Sequence, residues 1–208
     1  MMSKPASPIS GLSGRAAFTL VELLTVVALM VIFLAFAIPA VSSVLSGLRL
    51  SRGGQQIADQ IILGRQTALT RNRNVEVRFI RLTDPPTPGY RGVQIWMVDE
   101  AGTVRSPVSR MITLPDSVII NSNSSYSPLV FGSGSTVSGQ TNFSPYGSCQ
   151  YTGFRFRANG QTDIPTGNGT NSVNYITLQN ATDSGSPPKN FFTIQVNPLT
   201  GKVAVLRP

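Results

Sequence analysis

From Leu23 to Val41 the chain runs 19 residues without a charge, and Glu22 stands immediately before that run. As a helix such a run is about 28 Å long, against a hydrocarbon core of about 30 Å in a bilayer. The stretch therefore predicts a transmembrane helix over 18–44, with a carboxylate carried into its start. Placing an ionised Glu near a helix centre in lipid costs roughly 2.5–3.5 kcal/mol, and less near the interface. Glu22 falls in the first turn or two, where the helix dipole favours a negative charge. Lys4 and Arg15 precede the run, leaving a short basic segment ahead of it.

The run admits a plain signal anchor. It also admits a secretory signal peptide, because Ala35-Phe36-Ala37 has the A-x-A form of a cleavage site, although the run is longer than the usual apolar region of such peptides. A third reading rests on "AAFTLVELL" (16–24). It resembles the class III signal of type IV pilins and type II secretion pseudopilins, in which a basic leader is followed by Phe-Thr-Leu-x-Glu and an apolar helix. The resemblance implies cleavage between Ala17 and Phe18 by a prepilin peptidase and N-methylation of Phe18. The helix then stays on the mature protein. The family usually has Gly before the cut, where this chain has Ala17. Pro39, twenty-one residues after Phe18, matches the proline common in pilin stems. Lacking an N–H, it leaves the Ala35 carbonyl without a helical donor and predicts a kink.

On this reading Glu22 serves assembly. A neighbouring subunit shifted along the axis can offer its Phe18 amine to Glu22, and a paired charge in an apolar bundle costs far less than an unpaired one. The alternative is an acid that caps the helix or snorkels.

Past Pro39 the apolar residues Leu50, Ile57, Ile61 and Ala68, with Ala58 and Leu69 alongside, keep helical spacing. They predict an amphipathic stem helix over 45–70 packed on a sheet. Gly47, Gly53 and Gly54 weaken that helix. Beyond Arg71 the period becomes two: Val75, Val77 and Phe79 alternate with Glu76, Arg78 and Ile80, a half-buried strand. Further strands are expected at "VQIWMV" (93–98), "TVR" (103–105), "RMITL", "SVII", "FRFRANGQT" (154–162), "YITLQ" (175–179) and, as a hairpin of two strands around "NPLTG", "FFTIQVNPLTGKVAVL" (191–206). The Ser-, Asn- and Gly-rich residues 121–150 read as a long surface loop. The expected fold class is α+β, a long N-terminal helix packed on an antiparallel β-sheet domain over 71–208.

"IADQIILGRQTALTRNRNVEVRF" resembles the stem-to-sheet passage of the GspH and FimT branch of minor (pseudo)pilins, with Gly64-Arg65 and Ala68 at its Ala-Arg and Ala positions. "FRFRANGQ" and "TGKVAV" are similar to two of that branch's later strands. The resemblance implies a minor subunit of a type II secretion pseudopilus or type IV pilus, held in the inner membrane by a single pass with its C-terminal domain outside the cytoplasm. Its partners would be the prepilin peptidase, other (pseudo)pilin subunits and an inner-membrane assembly platform.

Charge and chemistry narrow the alternatives. The chain carries +8 over 208 residues, and seven of its arginines lie between 49 and 81. That stretch could meet anionic headgroups or acidic neighbours, or form a solvated helix face. In the FimT-like group basic residues near the C-terminus contact DNA, which makes Arg155, Arg157, Lys202 and Arg207 candidate nucleic-acid ligands. No aromatic platform interleaves them. The chain has no His, so the commonest general base and zinc ligand is missing. Cys149 is its one cysteine and reads as an incidental thiol. The carboxylates Asp84, Asp99, Glu100, Asp116, Asp163 and Asp183 are scattered, and no metal spacing or phosphate loop is present. Neither an enzyme nor a cofactor is expected. A membrane-anchored binding module that uses 121–150 as its recognition loop is the remaining alternative.

Overall fold

The computed structural model describes residues 18–84, 87–103, 105–166 and 172–207, with the side chains of 37–41 outside that description. The chain divides into two compact units, one ending at Ser43 and one beginning at Val44. The leader (1–17) lies outside the described residues.

The first helix, α1 (Leu20–Arg71), starts where Thr19 can cap it. Its first-turn side chains, and those on to Phe36, are exposed in the isolated chain. Among the described residues no helix is long and apolar enough to cross a membrane. The uncharged run that suggested a span includes 37–41, whose side chains lie outside the description. The backbone at Pro39 is helical, while its side chain falls outside the description. At the far end Asn72 takes a left-handed conformation (φ 50°). The Arg73 amide closes on the Ala68 carbonyl at 3.2 Å, a common way for a helix to stop.

In the second unit two antiparallel sheets share one core with the stem half of α1. The larger sheet is ordered β3 (Arg105–Pro107), β2 (Gly89–Val98), β1 (Val75–Leu82), β7 (Gly147–Phe156), β6 (Val137–Phe143), with β4 (Ile112–Thr113) also on β2. The smaller is ordered β10 (Val203–Leu206), β9 (Phe191–Val196), β8 (Tyr175–Asn180), β5 (Val118–Ile120). A single-turn helix, α2 (Pro128–Phe131), precedes β6. Leu50, Ile57, Ala58, Ile61 and Ala68 of α1 are buried against Val77, Phe79, Ile95 and Phe154 of the larger sheet and Ile176, Phe192 and Ile194 of the smaller. The stem stripe is thus where the spacing put it, except that Leu69 is 43% exposed at its margin.

Three expectations change. Gly53 and Gly54 are buried, and they are sites of close approach rather than weak points of the helix. A Cβ at Gly54 would overlap the Phe192 ring, and one at Gly53 would press on Leu114 and Val118 at 3.3 Å. Residues 121–150 are not a long loop: they contain α2, β6 and the start of β7, paired from Val137↔Gly153 to Phe143↔Gly147. The pairing is polar on both strands (Gln140↔Gln150, Asn142↔Ser148), so hydrophobic alternation gives no sign of it. Finally, β1 is buried on both faces: Glu76 is 0% and Arg78 2% exposed, because side chains from β2 and β7 cover its outer face.

These contacts separate packing from helix propensity. Gly→Ala in a helix interior normally stabilises by about 1 kcal/mol. Gly47→Ala, whose Cβ would meet nothing nearer than 3.7 Å, should raise the midpoint of denaturant unfolding. Gly54→Ala should lower stability by about 1–3 kcal/mol through overpacking.

Candidate functional site

Two places in the structure concentrate charge in an apolar setting. At the start of α1 the Glu22 amide donates to the Thr19 hydroxyl at 3.2 Å, and the Leu23 amide to the Thr19 carbonyl at 3.2 Å. Thr19 and Glu22 have the T-x-x-E spacing of a capping box, which holds Glu22 in the first turn. Glu22 is exposed, and among the described residues no cation pairs with its carboxylate. Phe18 is 78% exposed. Ala17 lies outside the described residues.

The second place is the outer face of the larger sheet. Strand register sets Glu76 of β1 opposite Trp96 of β2 and Arg155 of β7. The fully buried Glu76 carboxylate takes Arg78 on Oε2, from Nη2 at 2.6 Å and Nε at 3.0 Å. Its Oε1 accepts from Arg105 Nε and Arg155 Nη2, each at 2.9 Å. The Arg78 guanidinium is clamped between the rings of Trp96 and Tyr151, 4.2 Å from each centroid. The clamp suits a planar, weakly hydrated cation. Burial pushes the Glu76 carboxyl up, but the hydrogen bonds from Arg155, Arg105 and Arg78 outweigh it and hold the carboxyl below its ordinary value near 4.5. Sequence reading missed this cluster because Glu76 and Arg155 are 79 residues apart. The available signal was an acid and an arginine two residues apart on one face of a strand.

Beside it an open cleft of about 610 Å³ is lined by Gln94, Trp96, Arg110, Met111, Phe143 and Tyr146 among others. The Trp96 indole N–H donates to Gln94 Oε1 at 3.0 Å. None of the cleft's lining residues is a carboxylate, and among the described residues no three His, Cys, Asp or Glu side chains group to hold a metal. Burial, and then the charge of Asp84, push the Cys149 thiol up, away from thiolate. The cleft can hold a partner's side chains, but it offers no acid–base pair.

The cations proposed for nucleic acid do not converge. Arg155 is committed to Glu76. Arg157 and Lys202 are exposed on neighbouring turns, joined where the Thr162 amide donates to the Pro198 carbonyl at 3.0 Å. Arg65 Nε donates to the Thr200 carbonyl in the second of these turns at 2.9 Å. Arg207 lies instead beside Gly47, its guanidinium 3.9 Å from where a Cβ would sit. Residues 47 and 65 are about 27 Å apart along a helix.

No family model matches the chain, and no curated protein matches it. Among solved structures it is similar to the minor pseudopilin EpsH from the type 2 secretion system of Vibrio cholerae. That likeness covers 77% of this chain and 98% of the other, at 10% identity and a TM-score of 0.45.

Glu76 sets an acid limit on stability. Its folded pKa is depressed, so its contribution is complete above about pH 4.5 and is lost as pH falls through the lower folded value. Glu76→Gln leaves three guanidinium groups around a neutral amide. It should destabilise by about 3–5 kcal/mol and flatten the acid limb of a stability–pH profile recorded by urea unfolding.

Proposed function

We propose that this chain is a pilin-like structural subunit, made as a prepilin, cut between Ala17 and Phe18, N-methylated on Phe18, and assembled into a type II secretion pseudopilus or a type IV pilus-like filament. The observation that carries the reading is Glu22: an acid in the first turn of an apolar helix, exposed in the isolated subunit and without a cation among the described residues. Burying it in a bundle of such helices requires a partner charge. The amine that cleavage would create at Phe18 is the nearest in sequence and is repeated on every subunit. Before assembly the uncharged run Leu23–Val41 holds the subunit in the inner membrane. In the filament the same surface packs on neighbouring helices. The α+β domain, with its stem stripe already consumed by its own sheets, is then free to present loops and the outer cleft. The prepilin peptidase, other (pseudo)pilin subunits and the assembly platform are the partners this role requires.

DNA uptake draws less support. Phosphate binding needs several cations acting together, and of the four candidates Arg155 is held in the Glu76 cluster while Arg207 lies at the opposite end of the stem.

The test is Glu22→Ala in cells carrying the chain's own assembly machinery. Peptidase cleavage should be unchanged, while recovery in the sheared or cross-linked filament fraction should fall at least about tenfold, the ratio that about 1.4 kcal/mol sets. Undiminished incorporation of the variant would overturn the pairing.

A further inference from the structure

The base of the second unit joins two segments far apart in sequence. On α1, Val44, Leu45, Leu48, Arg49 and Arg52 share one face at spacings of one and three residues, and all five are exposed. The C-terminal strand comes to the same level: the Arg207 guanidinium lies 3.9 Å from where a Cβ on Gly47 would sit, preceded by Leu206, which is 54% exposed, and Val205. Leu48 on the helix is 61% exposed. Within the second unit this is a collar of apolar side chains flanked by arginines. Among the described residues neither Arg49 nor Arg52 forms an ion pair. The acid beside them, Asp116, is taken by Arg91 at 2.8 Å.

We infer that this collar is a docking surface for anionic phospholipid headgroups, seating the domain on the membrane before the subunit is extracted. The inference rests on the proposed membrane-held state. It goes further by assigning residues of the folded domain, from both ends of the chain, to the lipid. In sequence the collar spans the end of the uncharged stretch, which continues through Leu48, and Arg49 is the first charge after Glu22. Leu and Val at the acyl boundary with Arg just beyond them is the composition of an interfacial surface. Arginine stems lie along apolar surface while the guanidinium reaches phosphate. Each cation near an anionic surface adds attraction that salt screens. A solvated helix face would carry Arg49 and Arg52 without the apolar residues between them, and without a second basic and apolar segment folded against it.

The experiment uses the full chain reconstituted in vesicles. An environment-sensitive fluorophore is placed at Leu206→Cys and, as a remote reference, at Ala101→Cys in the β2–β3 turn, both on a Cys149→Ser background. In vesicles containing phosphatidylglycerol, acrylamide quenching at position 206 should fall at least about twofold relative to phosphatidylcholine. Added salt, or the combined R49Q, R52Q and R207Q substitutions, should reverse the change, and position 101 should not respond. Equal quenching in both lipids by a chain that floats with the vesicles would overturn the inference and leave the anchor standing. Shielding that follows protein-to-lipid ratio instead of lipid charge would also overturn it, because a neighbouring copy then covers the collar. A chain that floats with neither vesicle would overturn the membrane-held reading itself, and the inference with it.

Discussion

The burial of one helical stripe organises the domain. Leu50, Ile57, Ala58, Ile61 and Ala68 lie between two sheets that share no strand, and the apolar residues of both sheets belong to the same core. The sheets approach the helix this closely only because Gly53, Gly54 and Gly64 lack side chains where Leu114, Phe192 and Val77 come in. Packed interiors leave no room to absorb an added methyl there. The helix is therefore part of the domain's interior from Leu50 onward.

The parts of this arrangement that follow from local periodicity could be read in advance. The stem stripe, the β9–β10 hairpin around "NPLTG" and the strand at 75–82 all announce themselves by spacing. Long-range pairing was not legible. The β6–β7 hairpin hides because Gln140 faces Gln150 and Asn142 faces Ser148, and such residues look the same in a loop as in a polar ladder. Glu76 hides for another reason. Its strand alternates like one with a wet face, and only the register against β2 and β7 brings Trp96, Tyr151, Arg105 and Arg155 over it. The glycines were misread because propensity describes an isolated helix, whereas these positions are set by what packs on them.

The two acids are provided for differently. Glu76 is satisfied within its own chain: its carboxylate accepts from three arginines, with Arg78 held between two aromatic faces. Glu22 has no such provision among the described residues, and the capping contact from Thr19 uses backbone donors without touching its charge. An internal ion cluster gives one chain a defined surface. On the proposed function, the acid at the head of the apolar helix is what a neighbouring chain's amine would pair with.

That contrast depends on where the mature chain begins, since the amine proposed to meet Glu22 exists only if residues 1–17 are removed. The most direct measurement is the mass of the N-terminal peptide, with and without the cognate prepilin peptidase. The account predicts a chain beginning at N-methylated Phe18 when the peptidase is present and at Met1 when it is absent. A start after Ala37, or an intact Met1 in the presence of active peptidase, would contradict it.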